Sequence, residues 1–95
     1  MTLEETTIDL LKQLIRNACV NDLTADSGEE VRNAETLEEF FAGTDVQVRR
    51  FEPHPGRVSV AFTVPGNEPS AEPLTLLGHT DVVPVDEDKW TQKPF

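Results

Sequence analysis

The chain has 95 residues, with 8 Lys and Arg against 18 Asp and Glu, a net charge of −10 and one cysteine. That size suits one small domain. No stretch approaches the ~20 apolar residues of a membrane-spanning helix. A lone Cys19 cannot pair within the chain, which excludes a disulfide scaffold, and the excess of carboxylates would repel a phosphate backbone, which disfavours nucleic acid as a partner. The first residues, MTLEETTIDLL, are acidic where a signal peptide would be basic. A soluble, cytoplasmic protein is the expectation.

The first segment reads as a helix. Thr2 and Glu5 have capping-box spacing, in which each side chain meets the other's free backbone N–H. Ile8, Leu11, Ile15 and Ala18 follow at helical spacing and predict a core-packing face. Lys12 and Arg16 sit where the helix dipole favours cations. Cys19 reads as a small buried apolar residue, since no basic neighbourhood activates its thiol. Residues 21–28 are rich in Asn, Asp, Ser and Gly and read as a loop. Ser27 and Glu30 repeat the capping-box spacing ahead of a second helix, with Val31, Ala34, Leu37 and Phe41 on one face and Gly43 as its stop. Glu29, Glu30, Glu35, Glu38 and Glu39 read as a solvated face of that helix rather than as a metal site.

The period then changes. Val46 and Val48 alternate with polar residues up to Phe51, and Val58, Val60, Phe62 and Val64 alternate after Pro53-His54-Pro55-Gly56. Two strands joined by a hairpin are predicted, with His54 exposed in the turn. A Pro-rich loop follows over residues 65–73. Leu74 to Leu77 form a short apolar run, as expected of a strand buried on both faces. The fold class is therefore α/β: two N-terminal helices, a β-hairpin and a buried strand.

The segment that carries chemistry is LTLLGHTDVVPV, Leu74 to Val85. His79 and Asp81 are two residues apart, so in an extended chain both side chains face the same way. One ring nitrogen of His79 could then ligate a metal, while the other donates to Asp81, which fixes the tautomer and raises ligand basicity. His-x-Asp is also compatible with a histidine that is merely hydrogen-bonded. One His and one supporting Asp do not make up the three or four ligands that zinc takes.

GHTDVVP, followed by Trp90 and then Pro94-Phe95, resembles the first metal-site motif of the M20 metallopeptidases, a family that includes aminoacylases, glutamate carboxypeptidases, acetylornithine and succinyl-diaminopimelate deacylases, and dipeptidases. The resemblance implies that residues 1–95 are the N-terminal part of an M20-type catalytic domain, the start of a mixed-sheet, zinc-peptidase-like fold. The rest of that domain and the lid and dimerisation domain would lie outside it. It implies that His79 ligates one of two metal ions, usually zinc with cobalt or manganese as alternatives, and that Asp81 orients His79. Trp90 and Phe95 would anchor the following loop, and Asp86, Glu87 and Asp88 would be a solvated loop. The bridging Asp, the adjacent Glu pair, a further acidic ligand and a distant His of the family pattern have no counterpart in these residues. The implied activity is hydrolysis of amide bonds in small peptides or N-acyl amino acids, with a homodimer for the intact protein and no activity for the 95 residues alone. The alternative from a different class is a non-catalytic binding or interaction module on the same fold.

Overall fold

The computed structural model describes all 95 residues. Two helices, α1 (Leu3–Arg16) and α2 (Val31–Phe40), precede a hairpin of β1 (Gln47–His54) and β2 (Arg57–Thr63), and a short 3₁₀ turn, η1 (Glu87–Lys89), lies near the end. This is the α/β arrangement of two helices and a hairpin expected from the periodicities.

The start of α1 is set as the spacing requires. The Glu5 N–H donates to Thr2 Oγ1 at 3.1 Å and the Thr2 N–H donates back to Glu5 Oε2 at 2.7 Å. Its apolar face does not form the expected core: Ile8, Leu11 and Ile15 are exposed, and no residue of α1 is buried. The reason is that the side-chain hydrogen bonds tying α1 to the rest of the chain lie at its C-terminal end, where Asn17 and Ala18 meet Arg32, Asn33 and Thr36 of α2. Ala18, placed on the helical face by periodicity, lies beyond the helix with φ +50°. Cys19 is fully buried, as expected.

The second capping box does not form. α2 begins at Val31, and its N-cap is Glu30, which makes no side-chain cap. The Glu30 carboxylate instead receives both Nε and Nη2 of Arg57, each at 2.7 Å. A guanidinium that binds a carboxylate at two points is a stronger donor than a backbone amide, so Glu30 is buried in an ion pair rather than lying on a solvated face. Ser27 turns inward to its own loop, accepting from the Asp22 N–H and donating to the Thr24 carbonyl. Gly28 makes this possible: its φ is +83°, and a Cβ there would lie 2.5 Å from Glu30 Oε1. Of the other glutamates of the expected face, two pair outward, Glu38 with Arg50 at 2.9 Å and Glu29 with Arg32.

The hairpin pairs antiparallel from Gln47↔Thr63 to His54↔Arg57, with an irregularity between Phe51 and His54. Pro55 and Gly56 form its two-residue loop, and Gly56 takes φ +81°, the left-handed value a glycine supplies at low cost. His54 is part-exposed in that turn, with Nε2 3.0 Å from Asp26 Oδ1. The hairpin packs on α2 through Phe41 against Phe62, ring centroids 4.9 Å apart, and through buried Ala34 and Val58.

Only 6 of 95 residues are buried, so apolar packing alone does not join the two helices. A polar network does. Asn33 is 0% exposed, and its Oδ1 accepts from Asn17 Nδ2 at 2.8 Å. The same Asn17 amide reaches Thr36 Oγ1, and Arg32 donates to the carbonyls of Asn17 and Ala18. No buried side-chain nitrogen or oxygen is left without a partner.

The largest departure from expectation is Leu74 to Leu77. The run is extended but belongs to no sheet, and Leu77 is 99% exposed, with Leu74 and Leu76 nearly as open. A strand buried on both faces needs strands to pair with and layers to cover it, and no strand of this chain pairs with residues 74–81. The first pairing comes at Val82, which forms a parallel bridge with Val20: the Val82 N–H donates to Cys19 O at 2.9 Å, and the Asn21 N–H donates to Val82 O at 2.8 Å. No helix is long and apolar enough to cross a membrane.

Candidate functional site

Three segments converge on the His79 region: the loop after α1, the start of α2 and residues 77–82. The Val20–Val82 bridge brings Asn21 beside Asp81, and Asn33 reaches across from α2 to donate its Nδ2 to the Thr80 carbonyl at 2.9 Å. The peptide between His79 and Asp81 is thus tied to the body by a fully buried side chain.

The structure brings His79 and Asp81 together. His79 Nδ1 lies 2.8 Å from Asp81 Oδ1 and 3.0 Å from the Asp81 carbonyl oxygen. Asp81 Oδ2 accepts from Asn21 Nδ2 at 2.8 Å. That hydrogen bond is the main cause that holds the Asp81 carboxyl below its ordinary 3.8, and the contact with His79 adds to it. An ionised carboxylate and a carbonyl can only accept, so in neutral His79 the proton belongs on Nδ1. Nε2 then carries the free lone pair. The burial of the pair is unequal: the His79 side chain is 84% exposed and that of Asp81 26%. The imidazole therefore projects outward from a carboxylate held at its base. Both residues border a cleft of about 380 Å³ between β2 and residues 77–81, which Arg57, Val58, Val60 and Leu77 also line.

Nothing else in the chain completes a metal site, since no group of three or more His, Cys, Asp or Glu lies close enough to hold an ion. His54 is on the hairpin turn, paired with Asp26. Asp86 accepts from the Asp88 N–H, closing the exposed η1 turn. Trp90 is exposed beside it. Cys19 lies under the loop, its Sγ 3.5 Å from the Glu29 carbonyl, and burial pushes its thiol above the ordinary 9.0.

The sequence reading missed Asn21 and Asn33. The only signal was their type. Asn21 opens a loop rich in turn formers, and Asn33 is an amide on the apolar side of a helix, where an unpaired polar group would be costly. Their partners are 60 and 47 residues away in sequence.

This chain is similar to aminoacylases. It is 33% identical over 92 residues to aminoacylase-1A of Rattus norvegicus and, separately, to aminoacylase-1 of Sus scrofa, with 97% of this chain and 22% of each relative covered. It is also 45% identical over 40 residues to the N-fatty-acyl-amino acid synthase/hydrolase PM20D1 of Bos taurus, covering 42% of this chain and 8% of that protein. The chain thus spans 22% of the length of the aminoacylase-1 relatives it matches. No protein-family model matches the chain. No solved structure matches it.

Proposed function

We propose that these residues are the N-terminal portion of an M20-type, metal-dependent hydrolase that cleaves the amide bond of N-acyl amino acids or small peptides. Similarity to aminoacylase-1 over nearly the whole chain supports the substrate class. The observation that carries the site is the outward-facing His79 with Nδ1 against Asp81, the orientation a metal-ligating histidine needs.

The donor set fits a metal in this one respect. Nε2 of His79 is free and accessible, and Asp81 sits behind the ring to raise its basicity. Zinc, or cobalt or manganese in its place, would take His79 as one ligand and require others from outside these 95 residues, in a site of two ions. When bound, such ions would supply Lewis-acid activation of water and of the scissile carbonyl. The role of this chain is positional: Asn33 fixes the Thr80 peptide, and Asp81 holds the His79 ring in one tautomer. By this reading the 95 residues alone are inactive, and the intact protein is a candidate homodimer.

Two measurements test the proposal. Zn²⁺ added to the 95-residue chain should shift the NMR signals of His79 and not those of His54, and His79→Ala should abolish the effect. Hydrolysis of N-acetylated amino acids should be absent from this chain. It should be present in a protein that carries the further aminoacylase-like sequence, and be lost there on chelation or with His79→Ala. Turnover by the 95 residues alone, or hydrolysis by the longer protein that is indifferent to chelators, would overturn it.

A further inference from the structure

We infer that Asn21 is a positioning residue for His79, acting through Asp81 to select the imidazole tautomer that leaves Nε2 free; this rests on the reading of His79 as a metal ligand. A carboxylate that accepts at one oxygen only can swing about its last torsion, which is broad and roughly two-fold. Asp81 is held at both oxygens, Oδ2 by Asn21 Nδ2 and Oδ1 by His79 Nδ1, each at 2.8 Å. With Oδ2 occupied, the carboxylate plane is set and Oδ1 stays aimed at the ring. The largely exposed imidazole has water available to either nitrogen, so the preference for Nδ1–H comes from what stands beside it, the Asp81 carboxylate and carbonyl.

Asn21 is itself fixed at both ends. Its Oδ1 accepts from the Leu23 N–H at 2.8 Å in an Asx turn, which leaves Nδ2 no freedom but to point at Asp81. Its backbone N–H is engaged by Val82 O. The loop that presents it is unusual. The chain's three non-glycine residues with positive φ are Ala18, Leu23 and Glu29, two of them within three residues of Asn21. Such strain persists only where surrounding contacts over-determine it, and it clusters at functional sites. Of the three, Leu23 gives its N–H to Asn21 Oδ1, the contact that turns the Asn21 amide towards Asp81.

The two ends of the Asn21 side chain can be separated by substitution. Asn21→Asp keeps an acceptor for the Leu23 N–H and replaces the donor to Asp81 with a second carboxylate oxygen. Asn21→Ser keeps an acceptor for the turn and is too short to reach Asp81. The test is the tautomer of neutral His79 in the full 95-residue chain, read from long-range ¹⁵N–¹H correlations at pH 8, with Asp81→Ala as benchmark. His54 is the internal control: its carboxylate partner Asp26 lies in the same loop but faces Nε2. The expected result is Nδ1–H as the major form of His79 in the wild type, a rise of the Nε2–H form in both Asn21 variants towards the Asp81→Ala level, and no change at His54. An unchanged His79 in both variants would overturn the inference. So would a change at His54 in step with His79, because loss of the loop's structure would move both. A Zn²⁺ titration of the wild type that leaves His79 undisturbed would overturn the metal reading instead, and the tautomer result would be read apart from it.

Discussion

Asn33 is the side chain whose loss should be felt furthest. It is fully buried, accepts from Asn17 and donates to the Thr80 carbonyl. Asn33→Ala removes both hydrogen bonds, at about 1 kcal/mol net each. Asn17 keeps Thr36 as a partner, and the part-exposed Thr80 can turn its carbonyl towards water, so neither adds a full desolvation penalty. The small gap left by the amide raises the total to roughly 2–3 kcal/mol. Against a stability of about 5 kcal/mol, the low end for a chain of this length, that is about half. It corresponds to a fall of about 10–20 °C in Tm. Asn33→Asp should be worse, because it buries a carboxylate and sets it against a carbonyl oxygen. Thr36→Val removes the hydroxyl's bonds with Asn17 and with the Arg32 carbonyl and should cost about 1–2 kcal/mol. Urea unfolding followed by circular dichroism at 222 nm measures all three, with the slope unchanged. A midpoint for Asn33→Ala within about 0.5 kcal/mol of wild type would refute the view that polar contacts, rather than apolar packing, join α1, α2 and the His79 segment.

Three further outcomes are expected. Cys19 should resist a disulfide reagent such as DTNB in the native chain and react fully in urea. Because burial holds its folded pKa above 9.0, the unfolded chain loses this proton first, and stability should decline as pH rises above about 9; Cys19→Ala should remove that decline, and rapid labelling of the native chain would contradict it. Asp81→Ala should weaken zinc binding by the proposed intact enzyme about 10–100-fold, as read by competition with a chelating dye, and an unchanged affinity would exclude the supporting role. Thr2→Ala should cost α1 about 1 kcal/mol through the lost cap, and its first-turn amides should exchange about five-fold faster, with no change beyond Asn17.

What the sequence made legible was local. The Thr2–Glu5 box, the left-handed glycine at Gly43 and the alternation of Val58, Val60 and Phe62 each depend on neighbours a few residues away, and each is found where the pattern puts it. The second box failed because Glu30 had a better partner in Arg57, 27 residues on, which no local rule can see. The apolar stripe of α1 was read correctly as a helix face and wrongly as core, and Leu74 to Leu77 were wrongly read as a buried strand, since burial and pairing both depend on what lies opposite. The contact between His79 and Asp81 was legible because a two-residue spacing in an extended segment is itself a geometric statement. Asn21 and Asn33 were not, because an asparagine shows its use only when a distant acceptor is placed beside it.

The bridge between Val20 and Val82 also orders events in time. The contact from Asn21 to Asp81 spans 60 residues, and closing so long a loop costs entropy that only finished neighbours can offset. Both helices and the hairpin rest on short-range contacts and can form as they leave the ribosome. The His79 segment has to wait for the loop after α1 to be in place before Asp81 has anything to lean on. The ring is therefore aimed at the end of folding, and a chain that has not yet closed this loop presents a histidine with no fixed partner.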